Sequence, residues 1–278
     1  MLNEEVARRL QAARVHPSKQ LGQHFLIDDT ALATMLREAD LKPDDCVLEV
    51  GAGLGTLTEA LCQRAGHVLA YEPDERLYKY LSETLCPRFP NLELREKYIN
   101  RYELENVWAQ FPEGLKVASN LPYGITIEFL ISAIGNIAHL ADVLLMLQNE
   151  VAKRLVASPG SKAYGSLTVY AQTFSYADEL MFVPREMFVP VPNVDSQLVR
   201  IHARSRMPEI AKPARYFRLV QGAFKHRRKT IVNALVMTLP DFNRDEILRR
   251  LAHTDIFPDR RGDTLTRDEF ITLAGIFG

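Results

Sequence analysis

The chain has 278 residues, 34 Lys and Arg against 35 Asp and Glu, and a formal net charge of −1. Apolar residues make up 47% and charged residues 25%, the balance of a globular protein that buries a full core without staples. A uniformly basic nucleic-acid binder is excluded, a locally basic face is not. The length fits one large domain or a large one with a small appendage. The longest apolar stretch, residues 143–147, is far too short to span a bilayer. The opening MLNEEVARRLQ puts two acids and two arginines where a secretory signal needs an apolar run. Cys46, Cys62 and Cys86 have no metal-type spacing, so reduced thiols in a cytoplasmic protein are expected, with neither a disulfide scaffold nor a metal site.

A short polar helix starts around Val6 and ends at His16-Pro17, because proline disfavours helical geometry in the residue before it. Residues 19–26 predict an irregular loop. Asp28 or Asp29 then caps a helix through Ala39, with Leu32, Met35 and Leu36 on one face. From residue 46 the periodicity switches repeatedly. Strands are expected at 46–50, 67–71, 92–94, 115–119 and 142–147, with helices at 56–65, 77–85 and 125–134 between them. The apolar run 46–50 marks a strand buried on both faces, and the alternation predicts an α/β doubly wound sheet. A helix at 166–174 and antiparallel strands at 180–183 and 197–202 close one edge. The loop joining those strands holds Pro184, Pro190 and Pro192 and is expected to be rigid and exposed. After residue 203 only helical patterns remain, at 216–224, 230–238, 244–252 and 267–276, the last opened by a Thr266/Glu269 capping box. The expected organisation is an α/β domain over 1–205 and a small all-helical domain over 206–278.

The sharpest local signal is VLEVGAGLGTLTEAL at 47–61. Gly51, Gly53 and Gly55 stand where the first strand turns into a helix, and glycines there let the backbone turn tightly and approach a ligand. The spacing is GxGxG, not the GxGxxG of dinucleotide sites. The next strand ends in Tyr71-Glu72, where a carboxylate would accept from both hydroxyls of a free ribose. A tight ligand-free βα turn is the plainer alternative. The second signal, Asn120-Leu121-Pro122-Tyr123, directly follows a strand, and strand ends are where such sheets bind ligands. The Asn120 amide oxygen and the Leu121 carbonyl could accept both hydrogens of an exocyclic amine and favour a pyramidal, nucleophilic nitrogen. Pro122 would fix that backbone and Tyr123 would offer a face for a base. The competing reading is an Asn-x-Pro turn with a buried tyrosine.

These motifs, in this order, resemble the KsgA/RsmA family of small-subunit ribosomal RNA adenine dimethyltransferases over nearly the whole chain. LGQHFLID resembles the family's LGQNFL segment, EVGAGLGTLT its EIGPGxGxLT loop, Glu72 its ribose-binding acid and NLPY its catalytic motif. QNEVAKRLVASPGSKAYGSLTV, MFVPVPNVDSQLVRI and AFKHRRKTIVNAL resemble further family segments. The resemblance implies a Rossmann-like methyltransferase sheet using S-adenosylmethionine, with an amino-terminal segment lying over cofactor and RNA. It implies a cofactor site lined by His24, Leu26, Gly51, Gly53, Glu72 and Asn120, and a catalytic set of Asn120, Leu121, Pro122 and Tyr123. Phe188 would pack on the flipped adenine opposite Tyr123, or equally anchor its loop. The implied reaction is dimethylation of N6 on two adjacent adenosines in the 3′-terminal hairpin of 16S rRNA, in a pre-ribosomal 30S particle. A cytoplasmic monomer is expected. Three positions depart from the family pattern: His24 and Gly124 stand where asparagine is commoner, and Tyr98 stands where an aspartate holds the cofactor's adenine amino group. Either Glu96 or a backbone group substitutes, or cofactor affinity is reduced.

RNA binding has a separate signal. Residues 200–230 hold ten Lys or Arg against one acid, Glu209. Lys225, Arg227, Arg228 and Lys229 cluster around His226, and a run on one helix cannot all face inward, so a phosphate-binding surface is expected. A solvated helix face is the ordinary alternative. Two other functions compete: an Erm-type large-subunit adenine methyltransferase, and a catalytically weak nucleic-acid-binding relative, which the missing aspartate would suit.

Overall fold

The computed structural model describes residues 1–17, 23–210 and 212–277. Residues 18–22, which include part of the expected loop and the start of LGQHFLID, lie outside them. In chain order the elements are α1 (Leu2–Ala13), β1 (Phe25–Leu26), α2 (Asp29–Ala39), β2 (Cys46–Val50), α3 (Thr56–Cys62), β3 (His67–Tyr71), α4 (Glu75–Thr84) and β4 (Leu92–Arg95). They continue with α5 (Arg101–Gln110), β5 (Leu115–Asn120), α6 (Thr126–Gly135), β6 (Leu140–Gln148), α7 (Asn149–Leu155), α8 (Ser166–Phe174), β7 (Ser175–Val183), β8 (Phe188–Val189) and β9 (Ser196–Ala203). Four helices follow: α9 (Pro213–Lys225), α10 (Ile231–Thr238), α11 (Arg244–Leu251) and α12 (Arg267–Ile276).

Among the described residues, seven strands form one sheet in the order β4-β3-β2-β5-β6-β9-β7. From β4 to β6 the pairs are parallel, and β9 runs antiparallel to β6. Val47, Leu48, Val68 and Leu69 on the central strands are fully buried, as their unbroken apolar runs require. The strand order reverses at β2, so the crevice opens beyond the carboxyl ends of β2 and β5. The expected α/β sheet is therefore present. Asp28 caps α2 by accepting from the Ala31 amide at 2.6 Å, and Thr266 and Glu269 form the capping box of α12.

Three elements depart from expectation. Phe25–Leu26 is not loop: it pairs antiparallel with Phe188–Val189 in a two-residue ribbon. Helix α5 has one apolar turn, Leu104, Val107 and Trp108, too little for a sequence period to register. Helix α7 follows β6 without any intervening turn residue.

The chain divides into two compact units, Met1–Ala152 with Ala177–His202, and Lys153–Tyr176 with Ala203–Gly278. The segment around α8 thus groups with the helical unit. There Tyr164 donates to the Leu265 carbonyl at 2.8 Å, and the Thr173 and Tyr216 hydroxyls lie 2.6 Å apart, so α8 is bonded into that unit's core. Charge is divided just as sharply. The helical unit carries 18 Lys and Arg against 9 Asp and Glu, leaving 16 against 26 for the sheet unit. Among the described residues no helix is long and apolar enough to cross a membrane.

Candidate active site

A cavity of about 420 Å³ opens at the carboxyl ends of β2, β3, β4 and β5, within the usual range for a small-molecule site. His24, Leu26, Gly51, Gly53, Glu72, Asn120, Leu121, Pro122, Tyr123 and Phe188 all line it. The expected cofactor and catalytic residues are therefore gathered in one cleft, within the sheet unit.

The floor is the turn after β2. Gly51 and Gly53 have φ of +81° and +58°, a region that side chains rarely adopt. A Cβ on Gly51 would meet Pro122 Cγ at 2.8 Å, and one on Gly53 would meet the Phe25 ring at 3.1 Å. The Gly51 and Ala52 amides both donate to the Tyr71 carbonyl, at 2.8 and 2.9 Å, which locks the turn onto the end of β3. Glycine here thus serves close packing with the NLPY segment as well as ligand approach.

Glu72 is 5% exposed. Its Oε2 accepts from the Gly53 amide at 2.7 Å and its Oε1 from the Asp74 amide at 2.9 Å. Each oxygen keeps a further lone pair for a hydroxyl donor. Burial pushes the carboxyl up to about 7, against the lowering effect of those two amides. Asp74 beside it is pulled down to about 2, chiefly by Arg76, with Gln23 also donating at 2.9 Å.

Asn120 ends β5. Its Nδ2 donates to the His24 carbonyl at 3.4 Å, and a carbonyl can only accept, so the amide orientation is set. Its Oδ1 receives no hydrogen bond from the described residues. His24 Nδ1 lies 2.6 Å from the Pro190 carbonyl, so that nitrogen carries the hydrogen and Nε2 is the other tautomeric site. The His24 and Tyr123 rings lie 5.4 Å apart at 32°. The Pro122 carbonyl accepts from the Ile125 amide and the Thr126 hydroxyl, at 3.2 and 3.1 Å, which fixes the turn bearing Tyr123. Gly124 has open space where a Cβ would project.

Phe188 is 1% exposed and sits in the core cluster while touching the cleft wall. Its pairing with Leu26 anchors the loop, and it presents little free face to a base. Glu96 is exposed and does not line the cleft, so it does not stand in for an aspartate; Tyr98 does line it. Glu49 was missed from the sequence. It lines the cleft at 2% exposure, and burial, helped by nearby Glu72, pushes its carboxyl up to about 8. The available signal was a lone acid inside the buried strand Cys-Val-Leu-Glu-Val.

The basic run belongs to the helical unit, and of its residues only Lys225 lies on a helix. Helix α9 ends at Lys225, and 226–229 form a turn pinned by the Lys229 amide on the His226 carbonyl at 2.7 Å. The turn leads into α10, whose first amide, that of Ile231, is held by the Arg260 carbonyl at 2.6 Å. Lys225, Arg228 and Lys229 are exposed. Arg227 is half-exposed and tied down: its guanidinium meets Asp263 at 2.9 Å and the Ser161 and Lys162 carbonyls at 3.0 and 3.3 Å.

The chain matches the family Ribosomal RNA adenine dimethylase over residues 14–274. It is 39% identical over 262 residues to a protein of Geobacillus sp. (strain WCH70) named Ribosomal RNA small subunit methyltransferase A, covering 92% of this chain and 90% of that one. A protein of the same name from Bacillus mycoides (strain KBAB4) is also 39% identical, covering 92% and 89%. A crystal structure of a dimethyladenosine transferase from Plasmodium falciparum superposes with a TM-score of 0.74 at 25% identity, covering 90% of this chain and 95% of that one. The 23S rRNA methyltransferase ErmE superposes with a TM-score of 0.65 at 26% identity, covering 91% and 99%.

Proposed function

The chain belongs to the ribosomal RNA adenine dimethylase family, and from that premise we propose that it is a small-subunit rRNA adenine dimethyltransferase using S-adenosylmethionine. The single observation that carries the site assignment is the cleft itself. It joins a glycine turn, a ribose-competent Glu72 and an Asn120 whose amide oxygen is unengaged among the described residues. The residues suit the cofactor: the positive-φ turn of Gly51 and Gly53 lines the cavity with bare backbone, and the Glu72 carboxyl retains acceptor capacity. When bound, S-adenosylmethionine supplies an electrophilic methyl on sulfonium sulfur.

The chain's own work is to present the amine. An adenine N6 is a poor nucleophile because its lone pair is delocalised into the ring. Asn120 Oδ1 and the Leu121 carbonyl accept its two hydrogens and favour the pyramidal form. Tyr123 supports the base through its ring, which the His24 ring backs. His24, Leu26, Gly51, Gly53 and Glu72 would hold the cofactor. The preferred substrate is a pair of adjacent adenosines in the 3′-terminal hairpin of 16S rRNA within a pre-30S particle, where unpaired bases can be splayed out. The protein acts as a cytoplasmic monomer. The helical unit's excess of positive charge supports phosphate contact through Lys225, Arg228 and Lys229. The similarity to proteins named for the small subunit, at 39% identity, favours this target over the large-subunit one named for ErmE.

The test is labelled-methyl transfer onto undermethylated 30S subunits and, separately, 50S subunits, with the product nucleosides identified. N6,N6-dimethyladenosine formed on the 30S alone supports the assignment. Labelling of the 50S alone favours the Erm-type reading, and absence of transfer despite RNA binding favours a binding protein.

A further inference from the structure

The order of strand ends along the cleft assigns a place for each part of its ligand. In the sheet the order is β4-β3-β2-β5. The segments following those strands are Lys97-Tyr98-Ile99 after β4, Glu72 after β3, the Gly51 turn after β2 and Asn120 at the end of β5, and all line one cavity. A nucleoside sulfonium has the same linear order, with base and sulfur on opposite ends of the ribose. Were the reacting methyl beside Asn120 and the ribose at Glu72, the base would fall beyond Glu72, toward the residues that follow β4. This step rests on the cofactor reading above.

The chemistry at that end is distinctive. Among the described residues, the acids lining the cavity are Glu49, Glu72 and Asp74, all on or directly after β2 and β3. None follows β4. Lys97 is committed to Glu103, with Nζ to Oε1 at 3.1 Å. Ile99 is buried and offers an apolar surface. Tyr98 lines the cavity yet is 66% exposed, and no hydrogen bond or ring contact with the described residues engages it. An exposed aromatic at the mouth of a cleft gains most by covering itself with a flat apolar partner.

We propose that Tyr98 is the base-recognising residue of this cleft, laying its ring along the purine so that the base is held by its face and not by its 6-amino edge. A carboxylate at this place would accept from the amino group and penalise its loss, because a buried acceptor would be left unpaired. A ring reads only the π-face, which is sequence-tolerant in the same way as aromatic platforms under single-stranded bases.

The experiment is calorimetric titration of the full chain with S-adenosylhomocysteine and with its analogue carrying unsubstituted purine, which lacks the 6-amino group but keeps the ring nitrogens. The two are expected to bind within about fivefold of each other. Tyr98→Ala should weaken both by about tenfold, the scale of removing one base–aromatic stack, while Tyr98→Phe should retain both affinities. A preference above fivefold for the adenine compound, or unchanged affinities in Tyr98→Ala, overturns the proposal. Failure of S-adenosylhomocysteine to bind the unsubstituted chain at all would instead remove the cofactor reading on which it stands. Because Tyr98 is exposed, its variants are expected to keep the thermal transition of the parent.

Discussion

The Gly53 amide donates to Oε2 of Glu72 at 2.7 Å, so the glycine turn after β2 and the acid after β3 form one hydrogen-bonded unit. Removing the carboxylate therefore takes away a support of the turn together with the proposed ribose contact. Glu72→Ala should weaken S-adenosylhomocysteine binding by about 10- to 100-fold, corresponding to a charge-assisted contact of about 1.5–3 kcal/mol. Calorimetry on the folded variant checks this; unchanged affinity removes Glu72 from the site.

The same carboxyl, raised to about 7 by burial, makes binding depend on pH. A hydroxyl donor is better accepted by the ionised form, which becomes populated as pH rises through 7. Affinity for S-adenosylhomocysteine should rise between pH 6 and 7.5 in the parent chain. Glu72→Gln, which cannot ionise, should abolish that part of the rise.

Glu49 governs stability at higher pH. Its carboxyl is raised from 4.5 to about 8, so the folded state holds a proton that the unfolded chain releases above pH 4.5. The stability from this difference is complete below about pH 4.5 and is lost progressively as pH rises to 8, at up to about 1.4 kcal/mol per pH unit. Glu49→Gln keeps the shape of the neutral acid and removes its titration. Denaturant unfolding from pH 5 to 8.5 should show a flatter dependence for the variant, with its advantage over the parent greatest at the alkaline end. Parallel curves would exclude a buried neutral Glu49.

Asn120 is expected to act on rate more than on RNA affinity, because pyramidal nitrogen exists only on the way to the transition state. Asn120→Ala should slow single-turnover methylation by about 100-fold or more at saturating cofactor and RNA. Tyr123→Phe should keep much of the activity, since the ring alone supports a base. A normal rate in Asn120→Ala would end this account of catalysis.

Within the basic turn the side chains separate by role. Lys225, Arg228 and Lys229 point to solvent, so replacing all three with alanine should flatten the salt dependence of RNA binding, by about 0.7–0.9 of a log unit for each phosphate no longer neutralised. Arg227 instead bonds to Asp263, Ser161 and Lys162. Arg227→Ala should lower folding stability by about 1–2 kcal/mol while leaving the salt slope unchanged. A slope that falls with Arg227→Ala would assign it to RNA after all.

Local physics accounts for what was legible from residue order alone. Apolar runs such as Cys46–Val50, the caps at Asp28 and Thr266, the glycine spacing at 51–55 and the Asn-Leu-Pro-Tyr closing β5 each declare themselves within a few residues. Those signals sufficed for the α/β sheet, the helical patterns after residue 203, and the glycine turn and Asn-Leu-Pro-Tyr segment of the cleft. What tertiary structure decided depends on partners distant in the chain. The Phe25–Leu26 ribbon exists only through Phe188–Val189, and two residues carry no period of their own. The α8 segment joins the helical unit because Tyr164 and Thr173 find Leu265 and Tyr216. Arg227 looks like its basic neighbours in sequence, and only Asp263 and two carbonyls, distant in the chain, tie it down. Glu49 looks like any acid until the strands around it remove its water, and that removal is a property of the packed sheet.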